Sequence, residues 1–152
     1  MATKLLTLVM LIKDNRILLG MKKRGFGANR WNGFGGKLHE GESLEAAAKR
    51  ETQEEAGVVV EDLEPRGILR FGFEGQEEQL EVHVFVANNW QGEPTESEEM
   101  RPQWFNFDEI PYHSMWLDDP FWLPHVLAGK SVQGTFQFQD QTHLLSHEVQ
   151  VK

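Results

Sequence analysis

Residues 44–56 carry the hydrophobic and polar pattern of an amphipathic helix, with Leu44, Ala47 and Ala48 on its apolar arc. The stretch contains no Pro or Gly. Ser43 before it can cap a helix, and Gly57 after it can take the left-handed conformation that ends one. The pattern therefore predicts one helix of about 13 residues, close to the usual length.

Strands are predicted on both sides of this helix. Residues 5–12 are apolar on both faces except at Thr7, which is typical of a central buried strand. Asp14 and Asn15 then predict a hairpin turn into a second strand at 16–21. Residues 79–87 alternate cleanly, with Leu80 on the apolar face. Further strands are expected at 58–60, 68–73, 104–107, 132–138 and 142–151, the last two forming a hairpin.

Three carboxylates of the predicted helix, Glu51, Glu54 and Glu55, are spaced i, i+3, i+4 and are expected to face inward with the apolar arc. A Glu-rich helix is usually a solvated run of charge. On an inward arc, however, three like charges would cost on the order of several kcal/mol unless a cation compensated them. Because carboxylate oxygens suit Mg²⁺ or Mn²⁺, we interpret the helix as a platform for a divalent metal.

The same stretch resembles the 23-residue signature of the Nudix hydrolases. The matching positions are Gly36, Glu42, Arg50, Glu51, Glu54, Glu55, Gly57 and Val58, and the one departure is Thr52, where the family usually has a bulky aliphatic residue. The resemblance implies an α/β fold, an α/β/α sandwich with a central mixed β-sheet. It also implies that the Gly36 carbonyl and four glutamates, Glu51, Glu54, Glu55 and Glu99, bind Mg²⁺, and that Arg50 orients a helix carboxylate.

Segments 20–27, 30–34, 99–102 and 116–122 are similar to the branch of the family that hydrolyses oxidised purine nucleoside triphosphates. This resemblance implies hydrolysis of 8-oxo-dGTP and 2-hydroxy-dATP to the monophosphate and pyrophosphate. Leu80 stands where this branch often has Met. The implied substrate-binding residues are Thr7, Lys22, Phe26, Asn32, Phe34, Gly35, Gly36, Lys37, Phe71, Leu80, Trp116, Leu117, Asp118, Asp119 and Trp122.

The residues give independent reasons for a purine pocket. Five glycines in the twelve residues after Arg24 would let the backbone approach a ligand closely, and the interleaved aromatic rings and the Asn32 amide suit a base. Core packing explains each ring equally well on its own. Asp118 and Asp119 lie between two tryptophans, where a buried pair could share a proton. Capping is an alternative for Asp119, because Pro120 follows it.

Composition limits the remaining choices. With 152 residues we expect one domain, residues 1–152, and without Cys neither a disulfide nor a thiolate site is possible. The net charge of −9 argues against binding nucleic acid, although eight of the 15 basic residues fall within residues 1–39, as a phosphate-bearing ligand would favour. No stretch is long enough to span a membrane. We expect a cytoplasmic monomer with smaller mitochondrial and nuclear pools.

For the reaction, a carboxylate, Glu54 or Glu55, would take the proton of the attacking water. One alternative keeps the metal helix but acts on another nucleoside diphosphate derivative, such as ADP-ribose, a dinucleoside polyphosphate or a cap. Another is a non-catalytic nucleotide- or calcium-binding module of the same fold, although such a module would not need Arg50 and the helix glutamates.

Overall fold

The structure is a computed structural model that describes residues 2–152. The strands are β1 Thr3–Lys13, β2 Arg16–Lys22, β3 Trp31–Asn32, β4 Val59–Val60, β5 Glu64–Phe73, β6 Gln79–Ala87, β7 Trp90–Gln91, β8 Met100–Asn106, β9 Val132–Asp140 and β10 His143–Val151. The helices are α1 Leu44–Ala56 and α2 Asp119–Leu127, with short 3₁₀ turns at Phe107–Glu109 and Tyr112–Ser114. In residues 2–152 no helix is both long and apolar enough to cross a bilayer.

Eight strands form one mixed sheet in the order β10-β9-β5-β6-β1-β2-β3, with β8 also paired to β2. The β1–β6 and β5–β9 pairs are parallel, and the other pairs of this sheet are antiparallel. One apolar core holds Trp122 and Leu123 of α2, and the other holds Ala48 and Ala56 of α1. Since the two cores draw on alternate residues of β1, the helices cover opposite faces, and the expected α/β/α sandwich is confirmed.

Helix α1 begins and ends where the sequence predicts. The Ser43 hydroxyl accepts a hydrogen bond from the Ala46 N–H at 3.1 Å, and Gly57 ends the helix with φ of 74°. Thr52, the departure from the family pattern, is fully buried, and its hydroxyl donates to the Ala48 carbonyl at 2.7 Å. A threonine is therefore accommodated here without an unpaired polar group.

Strands β1 and β2 separate soon after the predicted hairpin, whose turn residues Asp14 and Asn15 both have positive φ. Residues 11–13 pair with 16–18, and beyond this point the segment 31–37 lies between the two strands. Gly35 needs to be glycine, because a Cβ there would lie 1.9 Å from the Thr7 carbonyl oxygen. The glycine-rich stretch is thus partly built into the sheet rather than being a free loop.

The strand predictions were incomplete between residues 88 and 107. No strand was predicted between residues 88 and 103, yet this stretch contains β7, which pairs with β4, and β8 begins at Met100 instead of Trp104. Polar residues such as Arg101 and Gln103 occur in β8 because that strand pairs along β2 with alternate side chains exposed. Local hydropathy could not reveal this pairing.

Candidate active site

A cavity of about 310 Å³ opens on the α2 side of the sheet and reaches the end of α1. It also reaches residues 31–37, which we call the glycine segment. Most of the predicted substrate-binding residues line it: Thr7, Lys22, Phe26, Asn32, Gly35, Gly36, Lys37, Phe71, Leu80, Trp116, Asp118, Asp119 and Trp122. The structure therefore brings together residues from five separate parts of the chain.

Two of the predicted residues, Phe34 and Leu117, do not line the cavity. Phe34 is fully buried in the core beneath α1, because its bridge to Val9 directs its ring to that face of the sheet. Leu117 lies between two cavity residues in the chain and has 41% of its surface exposed. Their placement corrects the sequence-based prediction.

Other residues complete the cavity lining without having been predicted there: Leu6, Leu8, Gly27, Gly33, Glu55, Leu69, Phe73, Val82 and Met100. Strand periodicity could have found several of them. Leu6 and Leu8 share one face of β1, and Val82 shares the face of Leu80 on β6. Glu55 had been predicted as a metal ligand and, with Glu54, as a candidate proton acceptor, but not as a residue of the cavity lining.

Asp118 and Asp119 are almost fully buried, at 3% and 2% exposure. The Trp122 indole N–H donates to Asp118 Oδ2 at 2.8 Å, whereas Asp119 Oδ2 has no partner among residues 2–152. Burial raises the pKa of Asp118 to about 6. Burial, followed by the charge of Asp118, raises the pKa of Asp119 well above its usual range. The pair therefore favours holding a proton near neutral pH.

Capping does not explain Asp119. Helix α2 begins at Asp119 itself with Asp118 as its N-cap residue, and Asp118 makes no side-chain capping hydrogen bond. The capping alternative for Asp119 is therefore contradicted, and its buried side chain lines the cavity.

Aromatic rings form the outer wall of the cavity. The Trp116 ring lies 5.0 Å from that of Phe26, and the edge-on rings of Phe73 and Phe138 lie 6.3 Å and 5.9 Å from it. Phe26 is 53% exposed. An exposed ring beside an indole at a cavity mouth offers stacking surface for a planar ligand.

Glu55 of α1 is 7% exposed, and its Oε1 accepts a hydrogen bond from the Gly35 N–H at 2.9 Å. Burial raises the pKa of Glu55 to about 8. Glu51 lies nearby, and a Cβ on Gly36 would come within 2.7 Å of the Glu51 carboxyl carbon. Two of the three helix carboxylates thus meet the glycine segment.

Glu54 does not contact the glycine segment. Its predicted inward orientation is wrong, because its side chain is 57% exposed. The buried arc of α1 is centred on Ala48, Thr52 and Glu55, which places Glu54 beyond the edge of the arc. The arc predicted from Leu44, Ala47 and Ala48 was centred too far toward Glu54, because it did not include Thr52 and Ala56.

Arg50 connects the carboxylates around this helix. Its guanidinium donates to both Glu42 oxygens at 2.7 and 3.0 Å and to Glu51 Oε1 at 2.6 Å, and it lies 3.3 Å from Glu54 Oε2. It also donates to the Lys37 carbonyl at 3.0 Å. Hydrogen bonding to Arg50 lowers the pKa of Glu42 to about 2. Arg50 therefore fixes Glu51 relative to the glycine segment.

Glu99 is held by cations and not by α1. The Arg24 guanidinium lies 2.7 Å from Glu99 Oε1, and Lys22 Nζ lies 4.0 Å from Oε2. The hydrogen bond from Arg24 lowers the pKa of Glu99. In residues 2–152 no three His, Asp or Glu side chains are grouped closely enough to hold a metal ion.

The donor set nevertheless fits a hard divalent cation. Glu51 lies beside Gly36 and Glu55 accepts from the N–H of the neighbouring Gly35, so both present carboxylate oxygens to this segment, and burial of Glu55 disfavours its charged form. The space beside Gly36 exists because the residue has no side chain. Glu54 and Glu99 would have to leave Arg50 and Arg24 to join this set.

Comparison with known proteins agrees with the fold and the motif. The NUDIX domain matches residues 4–126. Proteins named oxidized purine nucleoside triphosphate hydrolase share 51% identity in Danio rerio and 52% in Mus musculus, each over 97% of this chain and 94% of the relative.

Solved structures give the same result. The crystal structure of a MutT protein from Bacillus halodurans superimposes with a TM-score of 0.86 and 29% identity, covering 96% of this chain and 97% of that one. The family match covers most of the chain, and the signature residues lie at the glycine segment and α1. This chain belongs to the Nudix family.

Proposed function

We propose that this protein hydrolyses oxidised purine nucleoside triphosphates, 8-oxo-dGTP and 2-hydroxy-dATP, to the monophosphate and pyrophosphate, and so removes them from the nucleotide pool. The observation that carries this proposal is the buried Asp118–Asp119 pair facing the same cavity as Glu55. The names of the mouse and Danio relatives support the substrate class.

The pocket offers the hydrogen bonds that an oxidised purine needs. Oxidation at C8 of guanine adds a carbonyl oxygen and turns N7 from an acceptor into an N–H donor. A carboxyl pair that keeps one proton can donate from one member and accept at the other. The Asn32 amide oxygen accepts from the Gly33 N–H at 2.8 Å, which leaves the amide nitrogen free to donate. A site built for such bonds rejects bases lacking them.

The triphosphate would extend from the base pocket toward α1. Lys22 and Lys37 line this side of the cavity and supply positive charge. Glu51, Glu55 and the Gly36 carbonyl, joined by Glu54 and Glu99, would hold Mg²⁺ or Mn²⁺, which neutralises phosphate charge and lowers the pKa of water. Glu55 would accept the proton of the attacking water at its Oε2, because Oε1 is engaged by Gly35.

A substrate panel tests the proposal. The purified protein is assayed with 8-oxo-dGTP, 2-hydroxy-dATP, dGTP, dATP, ADP-ribose and a dinucleoside polyphosphate, with Mg²⁺, with Mn²⁺ and with EDTA. We expect pyrophosphate and monophosphate from the oxidised nucleotides well above dGTP and dATP, and none in EDTA. Preferred cleavage of ADP-ribose, or equal rates on dGTP, would refute the substrate assignment.

Recognition is tested separately from chemistry. We expect Asp118→Ala and Asp119→Ala to raise KM for 8-oxo-dGTP about 10- to 100-fold, since a buried hydrogen bond to the base is lost. Thr52→Leu, a change inside α1 and away from the cavity lining, is the control. Equal effects on KM would remove the recognition role from the pair.

We also propose an oligomeric state, a cellular location and a set of binding partners for the protein. We treat residues 1–152 as one Nudix domain that acts as a cytoplasmic monomer, with smaller mitochondrial and nuclear pools, and that binds neither nucleic acid nor membrane. Light scattering, cell fractionation and binding assays with DNA, RNA and vesicles test these points directly.

A further inference from the structure

Arg30 makes a set of contacts that the cavity lining does not include. Its guanidinium carbon lies 4.4 Å from the centroid of the Trp116 ring, in cation–π geometry. One terminal nitrogen donates to the Gln141 carbonyl at 2.9 Å, and the other donates to Gln141 Oε1 at 3.2 Å. A single side chain thus joins the segment before β3, the segment before α2 and the β9–β10 turn.

Each end of this connection is itself fixed. The Arg30 carbonyl accepts from the Lys22 N–H at 3.0 Å, which anchors its backbone to the end of β2. At the other end, Asp140 Oδ1 accepts from the Thr142 N–H at 2.9 Å and orders the turn that carries Gln141. Arg30 is therefore anchored at its backbone by Lys22 and at its guanidinium by Gln141, and the guanidinium lies over the Trp116 indole.

Trp116 contacts Arg30 and three aromatic rings. It lies just before α2. The aromatic rings that it contacts in the outer wall are those of Phe26, Phe73 and Phe138, at centroid distances of 5.0 Å or more. These three neighbours contact the indole through packing of aromatic rings, whereas the Arg30 guanidinium is itself held by two hydrogen bonds and presents a fixed, charged plane to the ring.

We propose that Arg30 is a positioning residue that holds the Trp116 indole in the orientation in which it stacks on the substrate base. The inference rests on the proposed function for its substrate, but its structural half concerns Trp116 alone. Arg30 touches neither the carboxylates of α1 nor the buried aspartate pair. Its loss should therefore weaken base binding and leave the chemical step unchanged.

The test compares four variants with the wild type. Arg30→Met keeps the length of the side chain and removes the charge and both hydrogen bonds, Arg30→Lys keeps a cation without the planar fork, and Gln141→Ala removes one anchor. Arg16→Met is the matched control, because Arg16 makes the same type of contact with Trp104, at 5.2 Å, away from the cavity lining. Each is assayed for KM and kcat with 8-oxo-dGTP. The indole N–H order parameter of Trp116 is measured by NMR without substrate, its resonance being assigned by Trp116→Phe.

We expect Arg30→Met to lower the Trp116 order parameter and to raise KM about 3- to 10-fold with kcat within about twofold. Arg30→Lys and Gln141→Ala should fall between it and the wild type, and Arg16→Met should change neither quantity. Thermal melting of each variant identifies any loss of folding, and Arg30→Lys keeps the test open if Arg30→Met does not fold.

An unchanged order parameter in Arg30→Met, or an unchanged KM despite a mobile indole, overturns the positioning role. A fall in kcat equal to the change in kcat/KM also overturns it. If the wild type releases no pyrophosphate from 8-oxo-dGTP, the proposed function fails and the substrate half of this inference fails with it. That outcome is distinguishable, because the NMR measurement requires no turnover.

Discussion

The Trp122 indole N–H donates to Asp118 Oδ2 at 2.8 Å, while the carboxyl oxygen Oδ2 of the neighbouring Asp119 is buried with no partner in residues 2–152. The two carboxyls therefore differ in environment although they are adjacent in sequence. Asp118 is stabilised as an acceptor, and Asp119 is the group that burial and the charge of Asp118 favour as a neutral acid.

The Asp118–Asp119 pair should contribute less to the stability of the metal-free protein as pH rises from about 4. Unfolded Asp has a pKa near 3.9, whereas the folded pKa values of Asp118 and Asp119 are raised, so the folded state binds more protons in this window. The contribution of Asp118 is lost by about pH 6 and that of Asp119 at higher pH. Asp119→Asn should flatten the dependence of Tm on pH. Asp62→Asn, at an exposed site, serves as control, and an unchanged slope in Asp119→Asn would contradict the assignment.

Glu55→Gln should separate stability from activity. The amide oxygen can still accept from the Gly35 N–H, but the proton acceptor is lost, so turnover should fall about 10²- to 10⁴-fold while nucleotide binding persists. The pKa of Glu55 is raised to about 8, so charging this carboxyl costs the wild type stability as pH rises from about 4.5 to 8. In EDTA, Tm of the variant should match the wild type near pH 5 and exceed it near pH 9. Wild-type turnover by Glu55→Gln would refute the role of Glu55.

Gly36→Ala should impair metal use with little loss of stability. An added Cβ would come 2.7 Å from the Glu51 carboxyl carbon and would displace that side chain, and the backbone at Gly36 does not have a positive φ. We expect a fall in kcat of about 10-fold or more and a higher requirement for Mg²⁺ in the assay. Gly41→Ala has the opposite profile: its Cβ meets nothing within 4 Å but its φ is 79°, so only stability should decrease, by about 1 kcal/mol. Equal activity losses in both variants would point to a general effect of strain.

Arg50→Lys should lower kcat more than it raises KM. A lysine keeps the charge, but it cannot donate in a fork to both Glu42 oxygens while holding Glu51 and the Lys37 carbonyl. Losing the support of a metal ligand typically costs about 10- to 100-fold. Glu42→Gln weakens the same network from its other end, so the double variant should lose less activity than the sum of the single changes predicts. Strict additivity would show that the two residues act independently.

The sequence predicted best those features that local chemistry determines. The bounds of α1 follow from Ser43 and Gly57, and the β1–β2 turn follows from Asp14 and Asn15, because capping and positive φ depend on a few neighbouring residues. It also located most of the cavity lining, but through resemblance and aromatic residues more than through periodicity.

The failures share a different cause, which is that tertiary partners decide the outcome. Glu54 and Glu55 are adjacent and chemically identical, and only the position of the sheet buries one and exposes the other. Asp119 has a good capping sequence, yet the cavity wall takes its side chain. Phe34 was predicted to line the substrate pocket because its sequence neighbours do. Its bridge to Val9, however, directs its ring to the opposite face of the sheet.

The insertion of residues 31–37 between β1 and β2 separates two groups of side chains in space. A side chain at Gly33 would collide with the carbonyl oxygen of Val9, and one at Gly35 with that of Thr7. Both positions therefore require glycine. On one side of this segment lie the carboxylates of α1, and on the other lie the rings and aspartates of the proposed base pocket. Under the proposed function, replacements among the latter should change which nucleobase is accepted and leave the proposed hydrolytic residues intact, so the scaffold is a starting point for redesigning nucleotide selectivity.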